Sequence, residues 1–263
     1  MNRPRLFTLL LATAGLLLAL LILLPVTALL LASSPKELFS LILRSEVQQA
    51  LWITLFTSFL ALPPMFLVGL PAAYGLSRVS GKSRRFLETL LELPMVMPPI
   101  VAGLALLLAF GRRGLVGGLL ADIGLRIPFS MLAVVIAIQF VVTPYFVRRC
   151  TLLFDGVDRK LEDAALLLGA SPFQTFIRVA LPLVRRGLAA EAIMALAQGI
   201  GLFGTIILFA GNLPGRTQTL SLAIYTAFEA DPQQAFGLGA LLLLISLLLL
   251  TTVKWIAPQE TIR

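Results

Sequence analysis

The chain has 263 residues, of which 59% are hydrophobic and only 13% are charged, and its mean hydropathy is +0.98. Soluble domains carry about 25% charged residues, so this composition excludes a soluble globular enzyme, a disordered chain and a disulfide scaffold. The apolar residues come in long runs rather than in the alternating pattern of a half-buried strand. The sequence therefore predicts an all-α integral membrane protein.

Lys and Arg dominate the charged residues, with 21 against 13 Asp and Glu and a net charge of +8. Membrane proteins concentrate basic residues in their cytoplasmic loops, so this excess does not require a nucleic-acid partner. The chain has no histidine and a single cysteine, Cys150. The commonest general base and zinc ligand is therefore missing, no internal disulfide can form, and we expect no metal site.

Six apolar stretches are long enough to cross the roughly 30 Å hydrocarbon core as helices. The first is longer than the apolar region of about 7–15 residues in a signal peptide, so we interpret it as a retained anchor. With the N-terminus inside, 15 of the 21 Lys and Arg residues lie on the cytoplasmic side, which favours both termini inside. The predicted spans are residues 6–32, 47–76, 86–110, 129–147, 184–210 and 235–256.

Proline residues interrupt two of these spans more than once. Pro63-Pro64 and Pro71 lie in the second span, and Pro94 and Pro98-Pro99 lie in the third. Proline removes a backbone donor and clashes with the preceding turn, so we expect these helices to be kinked or locally unwound. The three prolines within residues 94–99 suggest a kink beside a transport pathway, although proline is generally common in membrane helices.

A long loop of residues 148–183 separates the fourth and fifth predicted spans, and its sequence is typical of two short helices. Asp158 is a suitable N-cap for the first helix, and Gly169 suits the left-handed position that ends it. Ser171-Pro172 begins the second helix, which we expect to end before Leu181-Pro182. The exposed apolar residues of this loop must pack on span ends or insert into a partner: Leu166, Leu167, Leu168 and Phe173.

The spacing in this loop resembles the EAA motif of ABC-transporter permease subunits. The motif reads Glu-Ala-Ala, then Gly four residues later, then Ile-x-Leu-Pro, and here Asp163 replaces the Glu and Val179 the Ile. In that family the loop forms a coupling helix that docks on an ATPase subunit. The alternative is a surface helix that lies on the membrane. The resemblance implies an ATPase-coupling role for Asp163, Ala164, Ala165, Gly169, Leu181 and Pro182.

Further stretches resemble molybdate permeases, and sulfate and tungstate permeases share much of the pattern. They are residues 93–103, 111–114, 203–205, 211–219 and 224–226, within a similar region that covers about residues 52–239. The family commonly has Gly-Glu-Phe-Gly in the fifth span, whereas this chain has Leu202 at the Glu position. We therefore do not assign to Leu202 any role in gating or substrate selection that the Glu has in the family.

This resemblance implies an ATP-driven oxyanion importer in a bacterial or archaeal cytoplasmic membrane. Its partners would be a second copy of the chain, two ATPase subunits and an extracytoplasmic solute-binding protein. It also implies an organisation in which residues 1–46 form an anchor span and outside loop, and residues 47–263 form the permease domain. ATP would bind the ATPase partner, and this chain would bind no cofactor.

The chemistry of the residues agrees with a subunit that is not itself an enzyme. The sequence contains no Gly-x4-Gly-Lys-Ser/Thr phosphate loop, and no histidine could activate a Ser or Thr nucleophile. Two acids, Glu92 and Glu191, fall in or near the hydrocarbon, where ionisable groups are functional candidates. They keep open the alternative of a proton-coupled secondary transporter, or a channel, that acts without an ATPase. In the structural alternative, Glu191 pairs with Arg185 or Arg186.

An oxyanion pathway should be lined by small and hydroxyl-bearing residues, because bare carboxylates would repel the cargo. The alternative for the glycines is close helix packing. Arg112 and Arg113 follow the third span on the outside, where they could steer an anion, contact a binding protein, or simply be loop residues. Tyr225 and Phe228 fall in an outside loop as interfacial aromatics. The pathway candidates are Pro98, Pro99, Gly103, Gly201, Gly204 and Thr205.

Overall fold

The computed structural model of the chain describes residues 3–256, with the side chains of residues 7–256. Every regular element in this range is helical, as the composition predicts. Two π-helical turns, π1 (Met65–Gly69) and π2 (Phe176–Ala180), interrupt longer helices. The α-helices are α1 (Arg3–Leu31), α2 (Pro35–Ile42), α3 (Ser45–Pro64), α4 (Leu70–Arg78), α5 (Gly81–Val96), α6 (Pro99–Phe110), α7 (Gly117–Asp122), α8 (Met131–Asp155), α9 (Arg159–Leu167), α10 (Pro172–Thr175), α11 (Leu181–Ile200), α12 (Gly204–Phe209), α13 (Leu220–Ala230) and α14 (Pro232–Ile256).

Helix α8 is the centre of the fold. It begins after the N-cap Ser130, whose hydroxyl accepts a hydrogen bond from the Ala133 N–H at 3.3 Å. Small residues such as Ala133 and Ala137 on α8 are fully buried and allow close approach of neighbouring helices. The helix packs against α3, α4, α5, α6, α11 and α12. Large side chains, including Phe146 and Phe154, fill the core between them.

In the described part of the chain, four helices are long and apolar enough to cross a membrane, and a bent pair of helices could form a fifth span. The four are Phe7–Leu31, Ser45–Arg78, Met131–Asp155 and Pro232–Ile256. The pair is α5 and α6, which meet at a 106° bend. The predicted fifth span is not one helix, because α11 ends at Ile200 and α12 begins at Gly204. The six-span count therefore stays a prediction.

The prolines distort their helices in two different ways. Residues Ser45–Arg78 remain one continuous helix, because the π1 turn follows Pro63-Pro64 and widens the backbone by one residue. The carbonyl of Ala61 next to this turn accepts a hydrogen bond from the Gln139 side-chain amide of α8. In contrast, the helix breaks completely before Pro99, where α5 ends and α6 begins. The predicted distortion is therefore confirmed as a break in the third span, whereas in the second span it is a π turn within a continuous helix.

Candidate functional site

The helix signals predicted in the loop 148–183 are confirmed in most details, but the loop begins later than predicted, because α8 continues to Asp155. The Asp158 carboxylate accepts a hydrogen bond from the Lys160 N–H at 3.0 Å and caps α9. Gly169 has a φ of +89°, which an L side chain rarely adopts, and it ends the helix. Ser171 and Gln174 form a reciprocal capping box, and Pro172 takes the first helical position.

The expected end of the second helix before Leu181-Pro182 is wrong. Helix α10 continues through the π2 turn directly into α11. In this turn the Leu181 N–H donates to the Phe176 carbonyl, five residues back. The wider π turn accommodates Pro182, which has no N–H to offer, without breaking the helix. A single continuous helix therefore runs from Pro172 to Ile200.

The attachment of α9 depends on Glu162, a residue that the sequence reasoning missed. Its side chain lies inside the protein, with 6% of the residue exposed. The carboxylate accepts hydrogen bonds from the Arg78 Nε at 2.9 Å, from a second Arg78 nitrogen, and from the Tyr74 hydroxyl at 3.0 Å. A charge-assisted contact of this kind is stronger than a neutral hydrogen bond. Glu162 therefore fastens α9 to the end of α4.

Additional contacts make this attachment rigid. Arg159 of α9 donates a hydrogen bond to the Ser77 carbonyl at 3.0 Å, and Arg78 also donates to the Phe154 carbonyl at 3.3 Å. The rings of Tyr74, Phe154 and Phe176 pack together, with centroids 4.7–6.0 Å apart. Helices α4, α8 and α9 and the π2 turn thus meet in one polar and aromatic junction, and α9 is expected to move together with α4.

The opposite face of this helix pair is apolar and uncovered. Leu167 and Leu168 are 88% and 89% exposed, and Phe173 is 72% exposed. Asp163 and Ala164 are exposed beside them, while Ala165 is partly buried. An exposed apolar patch of this kind marks an interaction surface, either for a partner protein or for the membrane. We call this set the coupling surface: Asp163, Ala164, Leu167, Leu168 and Phe173.

A groove of about 660 Å³ lies between α6, α8, α11 and α12. It brings together three of the six predicted pathway residues, Pro99, Gly201 and Gly204, and Leu202 also lines it. Pro98 is exposed at the break before α6. Two polar side chains, Tyr145 and Gln198, contribute to an otherwise apolar wall: the lining residues are Pro99, Ile100, Val141, Val142, Tyr145, Ala197, Gln198, Gly201, Leu202, Phe203 and Gly204.

Two further predicted pathway residues, Gly103 and Thr205, are buried behind the groove and hold α12 against α6. A Cβ added to Gly103 would lie 2.8 Å from the Leu208 Cβ and 2.8 Å from the Thr205 carbonyl oxygen. The Thr205 hydroxyl donates to the Pro99 carbonyl at 2.9 Å. A Cβ on Gly204 would meet the Pro99 Cβ at 2.8 Å. These contacts correspond to the packing alternative for the glycines, at the back of the groove wall.

Arg112 and Arg113 lie in the loop that follows α6, near the N-terminal end of α8. Both are exposed. Arg112 lines a smaller cavity of about 210 Å³ together with Arg126 and Phe129. This cavity is at the opposite end of α8 from the coupling surface, and its described lining residues differ from those of the groove. A binding-protein contact for the two arginines stays a prediction.

Glu92 and Glu191 are paired with neighbouring arginines of α8. Arg148 approaches Glu92 at 2.7 Å, and Arg149 donates to Glu191 at 3.3 Å. The expected pairing of Glu191 with Arg185 or Arg186 is wrong. Five or six residues along a helix correspond to about 140° or 240° of rotation, so those arginines point away from Glu191.

The long apolar helices, the interior groove and the rigidly held loop define a polytopic helical membrane protein. Residues 65–260 match the family described as binding-protein-dependent transport system inner membrane component. The chain belongs to this family. The predicted membership in the molybdate and sulfate permease family is therefore confirmed.

Relatives with similar lengths extend the match beyond residues 52–239. The chain is 36% identical over 241 residues to the molybdenum transport system permease protein ModB of Mycobacterium bovis, and the alignment covers 90% of each chain. It is 32% identical over 243 residues to the probable sulfate transport system permease protein cysT of Nephroselmis olivacea, covering 91% of this chain and 86% of the relative.

A solved structure shares the fold. It is the crystal structure of a bacterial ABC transporter involved in the import of the acidic polysaccharide alginate. The TM-score is 0.75, the identity is 17%, and the match covers 98% of this chain and 97% of that chain. Identity at this level supports the common architecture alone.

Proposed function

We propose that the chain is the transmembrane permease subunit of an ATP-driven importer for a tetrahedral oxyanion, with molybdate as the first candidate and tungstate and sulfate in the same class. The observation that carries the proposal is the coupling surface, an exposed apolar tip on a helix that Glu162 fixes to α4. The likeness to relatives named for molybdenum and sulfate transport supports the substrate class.

The proposed complex contains two copies of the chain, two ATPase subunits and an extracytoplasmic solute-binding protein. Each coupling surface would insert into one ATPase subunit, with Ala165, Gly169, Leu181 and Pro182 supporting the docked helix pair. ATP would be bound and hydrolysed by the ATPase subunits, so that this chain needs no cofactor. The groove is open on one side of a single chain, and a second copy facing it would enclose a pathway.

The proposed orientation places the coupling surface in the cytoplasm of a bacterial cell, with six crossings of the inner membrane and both termini inside. Arg112 and Arg113, at the far end of α8, would then face the solute-binding protein. The basic excess of the inside segments supports this orientation. Closure of the ATPases would pull the two α9 helices together and change the accessible side of the groove.

The pathway would run along the groove, past Pro98, Pro99, Gly201 and Gly204, with Gly103 and Thr205 supporting its wall. Its described lining residues include no carboxylate, which suits an anionic cargo. The alternative of a proton-driven secondary transporter or a channel depends on Glu92 and Glu191. The pairing of both acids with arginines weakens that alternative, because a proton relay needs a carboxylate free to take up and release protons.

Reconstitution distinguishes these functions. Proteoliposomes that contain the chain and its ATPase, with the binding protein added on the opposite side of the membrane, are expected to transport radiolabelled molybdate. Transport should require ATP on the side of the membrane where the ATPase subunits lie. Competition with unlabelled tungstate and sulfate then ranks the three anions. Proteoliposomes with the chain alone and a proton gradient serve as the control. Uptake in that control at a rate comparable to the complete complex would overturn the importer.

A further inference from the structure

A charged pair lies beyond one end of the groove, on the same helix faces as some of the groove-lining residues. On α8, Val141, Tyr145 and Arg149 follow one another at intervals of four residues, and the first two line the groove. On α11, Gln198 lines the groove and Glu191 lies seven residues earlier, which is two turns along the same face. Arg149 and Glu191 therefore lie about one and two helical turns beyond these lining residues, towards the end of α8 that leads to α9.

Arg149 uses few of its hydrogen-bond donors. A guanidinium has five N–H groups. Within residues 3–256 the Arg149 side chain makes a single hydrogen bond, from Nη1 to the Glu191 carboxylate at 3.3 Å. Arg78, in contrast, donates from all three of its nitrogens, to Glu162 and to the Phe154 carbonyl. Arg149 is thus a partly buried cation with spare donors near the end of the groove.

We propose that Arg149 binds the oxyanion at the cytoplasmic end of the groove, and that the Glu191 carboxylate occupies its place when the groove is empty. This inference rests on the proposed function and adds a substrate-binding residue to it. The planar fork of Arg matches two oxygens of a tetrahedral anion in the same way as it matches a carboxylate. Substrate and Glu191 are then alternative partners of one cation.

The exchange explains how charged groups can lie on an anion pathway without blocking it. A bare Arg149 in a partly buried position would be costly, and a bare Glu191 would repel the cargo. Paired, the two side chains are neutral overall while the groove is empty. When an oxyanion arrives, it takes the spare donors of Arg149 first and then displaces the carboxylate. The displaced Glu191 carboxylate repels the bound anion, which limits its affinity and favours its release.

Equilibrium binding of radiolabelled molybdate and sulfate to the detergent-purified full chain tests the proposal. Glu191→Gln removes the competing carboxylate and is expected to tighten anion binding by roughly three- to tenfold. Arg149→Gln is expected to weaken it by at least about tenfold. Arg148→Gln is the matched control, because Arg148 is the neighbouring residue on α8 and pairs with a different acid, Glu92, at 2.7 Å. The affinity of this variant for the anion should stay within about twofold of the wild type.

The double variant Arg149→Gln with Glu191→Gln guards against misfolding, since it contains no unpaired charge. It should bind anions as weakly as Arg149→Gln and unfold thermally near the wild-type midpoint. Equal anion affinities for the wild type, Glu191→Gln and the double variant would overturn the proposal. A loss of anion binding in Arg148→Gln as large as that in Arg149→Gln would also overturn it. ATP-dependent uptake by the wild-type complex, measured in parallel, tests the proposed function separately, because it does not depend on which residue holds the anion.

Discussion

Glu162→Gln is expected to abolish ATP-driven uptake and to destabilise the chain by about 3 kcal/mol, because it leaves the partly buried Arg78 without its counter-ion. The neutral amide can keep a weak hydrogen bond to the arginine but cannot balance its charge. Helix α9 would then lose its fixed position on α4, and force applied to α9 would no longer reach the membrane helices. The measurements are the thermal unfolding midpoint and the rate of uptake in proteoliposomes.

Glu88→Gln is the matched control for this substitution. Glu88 also accepts a hydrogen bond from an arginine, Arg84, at 2.8 Å, but the pair lies near the surface and Arg84 keeps its second partner, Asp155. An exposed pair of this type contributes about 0.5 kcal/mol. Coupling by α9 would be contradicted if Glu162→Gln and Glu88→Gln retained the same uptake rate.

Gly103→Ala is expected to have the second largest effect, a destabilisation of about 2 kcal/mol together with reduced uptake. The new methyl group would lie 2.8 Å from a backbone carbonyl of α12, which cannot move without shifting that helix. Because α12 contributes Gly204 to the groove, the shift would alter the groove wall. The expected loss of uptake therefore exceeds what the lower stability alone produces.

Gly75→Ala is the matched control and is expected to stabilise the protein. Nothing lies within 4 Å of a Cβ added there, and Gly75 is in the exposed part of α4. Replacing a helical glycine by alanine at an open position stabilises by up to about 1 kcal/mol. The thermal unfolding midpoint should thus fall in Gly103→Ala and rise in Gly75→Ala. A Gly103→Ala protein as stable as Gly75→Ala would show that α6 and α12 are not tightly packed.

Local signals in the sequence predicted the loop 148–183 well. The cap Asp158, the left-handed Gly169 and the Ser171-Pro172 start depend on a few neighbouring residues, so their spacing alone is informative. The predicted end before Leu181-Pro182 failed because proline can continue a helix when a π turn precedes it. Single-residue signals therefore identified where these helices begin better than where they end.

Contacts between distant segments could not be read in the same way. Glu162 is 84 residues from Arg78, and nothing in the local pattern distinguishes it from the exposed Asp163 beside it except its helical face. The 106° bend between α5 and α6 was predicted as a kink, but its angle depends on packing against α8. Likewise, the partner of Glu191 is set by the approach of α8 to α11 rather than by Arg185 or Arg186 nearby.

The groove illustrates an intermediate case. The sequence named Pro99, Gly201 and Gly204 from their small size and their resemblance to a family pattern, and these three residues do line one groove. Gly103 and Thr205 were chosen for the same reason but lie behind it, since a small residue is equally suited to close helix packing. Composition identifies where helices approach closely, and only the packing decides which side faces a cavity.

Cross-linking from the coupling surface tests the central claim most directly. A photo-reactive amino acid at position 168, where Leu168 is 89% exposed, is expected to form an adduct with the cognate ATPase in the assembled complex. The same amino acid at position 115, where Leu115 is 87% exposed in the loop at the other end of α8, is expected to form none. An ATPase adduct from position 115, or none from position 168, would contradict the account.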